Sequence, residues 1–524
     1  MASKTFYLLV DWNGDGDFAD TGEILTDRVL SITTERGRES ANQLTGKSSA
    51  GKLVAFINNE SGDYSPFNAS SGLYGNLLPG RAVKLMLGVG GEFAYTFPFD
   101  FTDTAIWSGT LQSIEPIVNV NQINQVRLTA IGPLGTIGRK LVQIANQTNK
   151  RTDELIGTIL TSAGFSGTDR DLEQGQTTVA AYWNNGTDAL RAVREMEETE
   201  GGFIYEAKDG KIKFEDRNFR MTNPKATISR LTLSDHSSTD YPYEKINQAD
   251  PLPSIFNDFR ANIRVTTTAS IATLWTHPET GSSSPLIEAG ATNIYWAQYP
   301  PPTDGVFASA IAAQVAVSEW TTPVKTTDVV VNTAADGSGS NITSDLTIAA
   351  VKYSNSMQIS ITNGNAADGY ITAFKARGTT VVSSDPTMLV AEDSDSQDKY
   401  LKRTYPSWPK WIPSSLEAQH WVNTKLSIYK DPMPQLVISW VANKNENTLE
   451  AALDLDISSR VTVVAANNTG LGINEDFLVE NIHHRIEQGG KFQSTRLMLS
   501  PASASAGFFA LDISKLSEST RLWY

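Results

Sequence analysis

Short apolar runs separated by turn residues characterise the first 145 positions of the chain. Residues 83–89 (VKLMLGV) and 125–131 (QVRLTAI) alternate imperfectly between apolar and polar side chains, which is typical of strands with one buried face. Turn pairs such as Pro79-Gly80 separate these runs. The pattern predicts a β-rich unit, either a barrel or a sandwich, over residues 1–145.

The spacing of apolar residues becomes helical within residues 146–222. Thr152 is a candidate cap for a helix that Gly164 ends, because a threonine hydroxyl can accept a free N–H of the first turn and glycine is favoured just after the last turn. The apolar residues of this helix are Leu155, Ile156, Ile159, Leu160 and Ala163. A second amphipathic helix and a hairpin around Asp209-Gly210 follow. Together these elements predict a small α/β unit.

The middle of the chain predicts strands and one long insertion. Residues 223–275 are β-rich, and three consecutive prolines at positions 300–302 are typical of a connector. Between positions 325 and 385, runs of Val, Ile and Thr alternate with Gly, Asn and Asp turns, which predicts an inserted β-sandwich. Residues 306–320 fit a helix and a strand equally well.

The C-terminal part begins with a helix and returns to strands. Ser414 and Glu417 have the spacing of a capping box, in which each side chain accepts the other's backbone N–H. Strand patterns then occupy residues 436–440 (LVISW), 460–464 (RVTVV) and 477–480 (FLVE). A helix followed by a second β-rich unit is therefore predicted over residues 411–524.

Composition excludes several classes of function. The chain has 524 residues, no cysteine and a formal net charge of −15. The lack of cysteine excludes disulfide scaffolds, thiol nucleophiles and cysteine-ligated metals. The negative charge argues against a general nucleic-acid binder and against an anionic membrane surface as partner, although the wall of a DNA conduit can be acidic because repulsion keeps DNA from sticking. The sequence predicts no membrane span and no signal segment, so we expect synthesis in a cytoplasm.

One loop near the N-terminus has the ligand pattern of a calcium site. Its candidate ligands, at mostly alternating positions, are Asp11, Asn13, Asp15, Asp17 and Glu23. Gly16 stands at the sixth position, where calcium loops turn sharply. The loop departs from an EF-hand because Gly22 occupies the twelfth position and a strand precedes it. Structural calcium is one interpretation, and a polar Asx-turn hairpin that needs no ion is the other.

The sequence offers no recognisable catalytic constellation. It contains neither a His-Glu-x-x-His motif nor a Gly-x-Ser-x-Gly elbow. His483 and His484 are adjacent in a strand-like run, where neighbouring side chains point to opposite faces, so a structural use is favoured. A glycosidase pair of carboxylates could lie anywhere, since the fold sets their separation. The sequence therefore predicts a protein that is not an enzyme, with no catalytic residue.

An ordered series of short motifs resembles the minor tail and baseplate hub proteins of siphophages. The motifs are residues 58–68 (NNESGDYSPFN), 73–83 (LYGNLLPGRAV), 107–114 (WSGTLQSI), 171–177 (DLEQGQT), 200–206 (EGGFIYE), 214–217 (FEDR), 477–484 (FLVENIHH), 497–501 (LMLSP) and the C-terminal tail at 511–524. Each motif is weak alone, and their order along the chain carries the resemblance. It covers residues 1–220 and 435–524 and fails over 276–410, which we interpret as an insertion.

The resemblance implies the hub fold of T-even-type phage tails, a mainly β multidomain chain with α/β parts. Two tube-like β-barrels, small α/β domains and an inserted β-sandwich are expected. The corresponding segments are 1–145 for the first barrel, 146–222 for the α/β domain, 223–275 for the start of the second barrel, 276–410 for the connector and the sandwich (about 325–385), and 411–524 for the helix, the rest of the second barrel and the tail. This is an analogy at the level of the fold.

The same resemblance implies a role and a set of partners. Such hubs are trimers whose two barrels per chain give a near-sixfold ring against a hexameric tail tube. The expected partners are the distal tail or tube protein, the tape measure protein, a central spike or fibre, and passing DNA, with the protein located at the tail tip of the virion. Two other functions stay open, namely a receptor- or carbohydrate-binding tail protein using the insertion, and a cell-wall hydrolase.

Overall fold

The structure is a computed structural model of the whole chain. It describes residues 6–40, 46–87, 105–118, 123–236, 241–249, 252–263, 266–278, 283–299, 313–383, 387–406, 409–466, 468–502, 508–509 and 521–522. The proline connector at 300–302 and most of the predicted C-terminal tail lie outside these residues.

The N-terminal region forms six antiparallel strands. They are β1 (Phe6–Val10), β2 (Val29–Arg38), β3 (Ser48–Asn58), β4 (Ala82–Leu87), β5 (Ala105–Ile117) and β6 (Gln125–Ile131). They lie in the order β1-β4-β5-β6-β3-β2. Every second residue of β6 is buried, as expected for a strand with one face on a core. Trp12 and Trp107 are fully buried in that core.

The next segment is an α/β unit. Its elements are α1 (Pro133–Ile137), β7 (Leu141–Arg151), α2 (Thr152–Ser162), β8 (Arg170–Leu172), β9 (Thr178–Asp188), α3 (Ala189–Glu200), β10 (Phe203–Glu206) and β11 (Ile212–Glu215). The apolar residues predicted for α2 are all buried, and its core includes residues of α3. One detail differs from the sequence prediction: Thr152 is the first helical residue, and its hydroxyl donates to Glu200 (2.7 Å) rather than capping the helix.

The middle of the chain contributes strands to other sheets and also builds two packed sheets of its own. Its elements are α4 (Phe219–Thr222), α5 (Pro224–Thr227), β12 (Thr232–Ser234), β13 (Tyr241–Pro242), β14 (Lys245–Ala249), β15 (Asp258–Ile263), β16 (Thr266–Thr268), β17 (Ala272–His277), β18 (Leu286–Ile287), β19 (Thr292–Gln298), β20 (Ala313–Thr321), β21 (Val329–Asn332), β22 (Leu346–Lys352), β23 (Ser356–Asn363) and β24 (Gly369–Ser383). The long strand β24 pairs with β16, β17, β18, β20 and β21, while β19, β23 and β22 form a three-stranded sheet. The two sheets share one apolar core.

These strands begin earlier than the sequence indicated. β18, β19 and the last two residues of β17 lie in the stretch that the proline cluster had suggested was a connector, and β20 shows that residues 313–321 are a strand. The reason is that β18 and β20 pair with the fifteen-residue β24 and β19 pairs with β23, and pairing with distant residues is not visible in local sequence patterns.

The C-terminal region contains the remaining elements. They are β25 (Thr387–Glu392), α6 (Ser394–Tyr400), α7 (Ser415–Tyr429), β26 (Gln435–Val441), α8 (Glu446–Asp454), β27 (Arg460–Ala465), β28 (Ile473–Glu487), β29 (Phe492–Pro501), β30 (Phe508–Phe509) and β31 (Arg521–Leu522). Helix α7 begins after Ser414, whose hydroxyl accepts the N–H of Glu417 (3.2 Å). It packs on the β15–β25 pair. No described helix has the length and apolar character needed to cross a membrane.

Strands from both ends of the chain belong to one sheet. The antiparallel pairing of β2 with β28 joins the N-terminal strands to β26–β29 and β12–β14, giving thirteen strands. Within the described residues this sheet is open, and its pairing closes neither half into the tube-like barrel that the resemblance implied. What the structure shows is a mainly β chain with several sheets and a few helices.

Candidate functional site

The pairing of β2 with β28 forms a seam between the two β units. It runs from Ser31 opposite Glu487 to Gly37 opposite Asn481. Gly37 has a φ of +108°, and a Cβ there would lie 2.4 Å from the carbonyl oxygen of Glu480. Only glycine allows this backbone approach without strain, so the two units are in direct backbone contact at this point.

A buried carboxylate anchors the seam. The Glu480 side chain is fully buried and accepts hydrogen bonds from Arg38 Nε (2.7 Å), from Arg220 Nη1 (2.6 Å) and from the Ser500 hydroxyl (2.6 Å). Arg38 lies on β2 and Arg220 on α4, so this one side chain of β28 contacts both β units and the segment that follows the α/β unit. The guanidinium of Arg38 also packs on the Phe203 ring, 3.5 Å from its centroid.

A second buried carboxylate extends the network. Glu215, at the end of β11, accepts hydrogen bonds from the Tyr205 hydroxyl (2.8 Å) and from the Ser458 hydroxyl (2.6 Å). Arg220 Nη2 donates to the same Ser458 oxygen (3.0 Å). Lys225 Nζ donates to the Tyr205 hydroxyl (3.1 Å). Ser458 and Arg220 together therefore connect the Glu215 and Glu480 carboxylates, which come from the α/β unit and from β28.

A buried ion pair of β2 belongs to the same group of residues. Arg36, on β2, pairs with Asp456 through Nη1 and donates through Nε to the carbonyl oxygen of Ile106 (3.2 Å). Lys225 Nζ lies 3.7 Å from the other Asp456 oxygen. We call these residues the seam network: Arg36, Arg38, Tyr205, Glu215, Arg220, Lys225, Asp456, Ser458, Glu480 and Ser500. Its charged groups are engaged with one another, so the arrangement suits locking segments together rather than proton transfer.

The two glutamates of the seam network differ in their electrostatics. Burial raises the pKa of Glu480, but Arg220 and Arg38 outweigh it, so the pKa is lower than that of a free glutamate. Burial also raises the pKa of Glu215, and Lys225 and Arg220 offset only part of that increase. Glu480 is thus held as a carboxylate by two arginines. A buried charge of this kind is tolerated only while its partners remain.

A neighbouring cluster joins the α/β unit to α7. Glu200 is fully buried and accepts hydrogen bonds from Arg217 Nε (2.8 Å) and from the Thr177 N–H (2.9 Å). Arg217 Nη2 also donates to Glu417 (3.1 Å), and the Thr177 hydroxyl donates to the same Glu417 oxygen (2.6 Å). Residues up to 240 positions apart are therefore held together by charged and polar side chains as well as by apolar contacts.

The acidic loop places its predicted ligands in two groups. Asp11 is buried and accepts the N–H groups of Gly14 (2.6 Å) and Gly16 (3.1 Å). Glu23 is buried and accepts the N–H groups of Trp12 (2.9 Å) and Asp20 (3.1 Å). These two carboxylates hold the loop backbone. The Asx-turn contacts are made by Asn13, Asp15 and Asp17, each of which accepts the N–H two residues on.

The exposed acids of the loop come together instead. Oxygens of Asp15, Asp17 and Asp20 lie within 4.8 Å of one another. The Asn13 amide donates to Asp15 (2.9 Å). Asp20 was missing from the predicted set because it falls outside the alternating pattern. Asp20 is held beside the other acids because its carboxylate accepts the Asn13 amide and its N–H donates to Glu23 (3.1 Å).

The adjacent histidines lie on the seam strand β28. His484 is buried, and its Nδ1 is 3.0 Å from the Thr495 hydroxyl of β29. Burial lowers the pKa of His484 to about 3, with Arg36 and His483 adding to the decrease. His484 is therefore neutral near pH 7, and its side chain contacts Thr495 inside the protein.

Several residues of the seam network stand in the sequence motifs, but the motifs alone indicated no role for them. Glu215 and Glu480 stand in the motifs FEDR and FLVENIHH, and Tyr205 in EGGFIYE. A glutamate inside an apolar strand run such as FLVE was the available signal, because an isolated acid is rarely buried without a partner. Its partners Arg38 and Arg220 could not be identified, since they are hundreds of residues away.

Comparisons with known proteins give structural similarity only. No protein-family model matches the sequence, and no curated protein matches it. The chain is similar to the 43 kDa tail protein of prophage MuSo2 from Shewanella oneidensis, with a TM-score of 0.48, 10% identity and coverage of 96% of this chain and 99% of that one. It is similar to a tail protein from Neisseria meningitidis MC58, with a TM-score of 0.48, 9% identity and coverage of 95% and 96%. A prophage tail protein, gp18, from Listeria monocytogenes EGD-e matches with a TM-score of 0.40, 8% identity and coverage of 95% and 94%.

Proposed function

We propose that this chain is a structural protein of a phage tail, the hub of the tail tip. In this role it joins the tail tube to a central spike or fibre, lines the DNA channel as a homotrimer and performs no catalysis. The observation that carries the proposal is the seam, where β2 and β28 join strands from both ends of the chain into one sheet. Two β units held side by side are what each of three chains must supply to meet six tube subunits.

The chemistry of the seam supports a mechanical role. An ion network buried between segments is costly to assemble but strongly destabilised when one partner is removed, so it fixes one relative position of the segments. The net charge of −15 fits a wall past which DNA moves, because like charges limit adhesion. The ordered motifs from 58–68 onward supply the link to phage tails.

The oligomeric state tests the proposal. We expect native mass measurements to give three times the chain mass of 57.0 kDa, and we expect the trimer to persist as salt is raised, since exposed ion pairs are screened and apolar contacts are not. A tag inserted in the exposed turn at Gly337 should appear at the tip of the tail in images of assembled particles. A lasting monomer at high concentration, or a tag along the tube, would contradict the hub role.

Calcium binding by the acidic loop stays a proposal with its own test. A bound cation would neutralise the carboxylates of Asp15, Asp17 and Asp20 and lock the loop. At a calcium concentration roughly tenfold above Kd, the expected stabilisation is about 1.4 kcal/mol. Asp15→Asn should abolish the rise in melting temperature that calcium produces, because it removes a charged ligand while keeping an acceptor for the Asp17 N–H.

Asp336→Asn is the matched control for calcium. Asp336 is exposed and accepts the Ser338 N–H in a turn of the same kind (2.9 Å). This variant should respond to calcium and to a chelator as the wild type does. If a chelator leaves the melting temperature of the wild type unchanged, the bare Asx-turn interpretation is correct.

A further inference from the structure

A cavity of about 550 Å³ lies outside the seam, where three parts of the chain meet. Strand β9 and helix α3 form one side, the β15–β16 segment with the end of β24 forms another, and residues 410–413 complete it. Its volume is in the range of cavities that hold small organic ligands. None of the seam residues lines it.

Two tryptophans give the cavity apolar surfaces. Trp183 and Trp411 are half-buried and meet edge to face, with ring centroids 5.1 Å apart. Trp411 is held in place because its indole N–H donates to Glu195 (3.0 Å) and its ring packs on that of Tyr182, with centroids 5.1 Å apart. Large rings with a fixed orientation provide contact area at little cost in conformational entropy.

Neutral polar groups line the rest of the cavity. Asn262 contributes a carboxamide whose Oδ1 is buried and has no hydrogen-bond donor among the described residues. That oxygen is closed to a ligand, so the carboxamide would offer its Nδ2 hydrogens to an oxygen of the sugar. Thr187 and Thr266 add hydroxyl groups that can donate as well as accept.

The charged groups of the cavity are already paired. Glu195 lies 3.6 Å from the ammonium of Lys410 and 3.9 Å from the guanidinium of Arg191. These three groups carry a net charge of +1, but the side chains of Arg191 and Lys410 are 76% and 61% exposed. Solvent screens charges at such exposure, so an anion gains little there. Aromatic rings beside amides and hydroxyls match a ligand with an apolar ring face and many hydroxyl groups.

We propose that this cavity binds a neutral saccharide, with one sugar ring packed on the indoles and its hydroxyls bonded to the Asn262 and threonine side chains. This inference does not depend on the hub role, since it rests on a different part of the molecule.

The experiment measures saccharide binding to the full chain by ligand-observed NMR and calorimetry. The probes are maltotetraose and tetra-N-acetylchitotetraose, with glycerol as a polyol control and inorganic phosphate as an anion. We expect at least one of the two oligosaccharides to saturate the wild type, and about tenfold weaker binding by Trp183→Ala, which corresponds to 1.4 kcal/mol. Trp183→Phe, which keeps a ring, should restore much of the affinity. Trp296→Ala, which removes an exposed tryptophan of the insertion, should bind as the wild type does.

Asn262→Leu is a second variant for the same binding measurement, to be used if Trp183→Ala does not fold. Removing an unpaired buried acceptor should not lower the melting temperature, yet it should weaken saccharide binding. The proposal is overturned if neither oligosaccharide binds the wild type at about 10 mM, a concentration that saturates a site with a Kd near 1 mM. It is also overturned if Trp183→Ala and Asn262→Leu both bind as well as Trp296→Ala, or if phosphate binds the cavity and the sugars do not.

Discussion

Replacing Glu480 by glutamine is expected to destabilise the protein by about 3–5 kcal/mol, the cost of leaving buried charges without their partner. Glu480 is fully buried between Arg38 and Arg220, and a neutral amide cannot balance two guanidinium groups. The loss should appear as a lower urea midpoint and as faster hydrogen exchange at the backbone amides of β2, because β2 is held to β28 next to this carboxylate.

Glu487→Gln is the matched control on the same strand. Glu487 forms its ion pair with Arg485 (2.6 Å) at partly exposed positions, where such pairs contribute about 0–1 kcal/mol. Equal stability of the two variants would show that the seam network does not hold the β units together. Exchange in the two-sheet insertion should be the same in both variants, since its core is separate.

Lowering the pH should weaken the protein through His484. The pKa of His484 is about 3 in the folded protein, against an ordinary value of 6.5. Between these two pH values the unfolded chain binds a proton at this side chain and the folded chain does not. This contribution is fully present above the unfolded pKa and is lost as the pH falls from about 6.5 towards 3, at about 1.4 kcal/mol per pH unit. Between pH 6.5 and 4.5 the loss amounts to about 2 kcal/mol, because the imidazole of the unfolded chain is already half protonated at pH 6.5.

The effect must be measured as a difference, because Glu206 opposes it. Burial raises the pKa of Glu206 to about 7, so its contribution is present at low pH and is lost as the pH rises from its unfolded value. His484→Asn keeps a partner for the Thr495 hydroxyl but cannot titrate. The free energy of unfolding of the wild type, relative to that of this variant, should therefore decrease steadily as the pH is lowered from 6.5 to 4.5. His236→Asn, at an exposed position, controls for the loss of a histidine, and a pH-independent difference for His484→Asn would contradict the prediction.

Much of the local structure could be predicted from the sequence. The helical spacing from Leu155 to Ala163 and the Ser414–Glu417 box both mark real helices, because helix signals depend on residues three or four positions apart. The strands from Leu286 to Gln298 could not be predicted, since their stability comes from β24 and β23, far along the chain. The open sheet also differs from the two closed barrels of the resemblance, because strand closure depends on tertiary pairing.

The candidate site was less accessible to sequence reasoning. The acidic loop was visible because its residues are contiguous, although the structure uses Asp11 and Glu23 for backbone hydrogen bonds and gathers Asp20 with Asp15. The seam network has no local signature. Arg38 and Glu480 are 442 positions apart, and their proximity follows only from the pairing of β2 with β28.

The ends of the insertion have a consequence for how such chains diversify. The chain leaves the β15–β25 ladder after Ile263 and re-enters it at Thr387, and these two residues are paired with each other. Everything between them is topologically the loop of a hairpin. Exchange of that loop between relatives, by recombination or by design, would leave the ladder intact, because the cost of closing a longer loop rises only slowly with its length. The chain can thus gain or lose a whole module at one hairpin while the thirteen-stranded framework keeps its register.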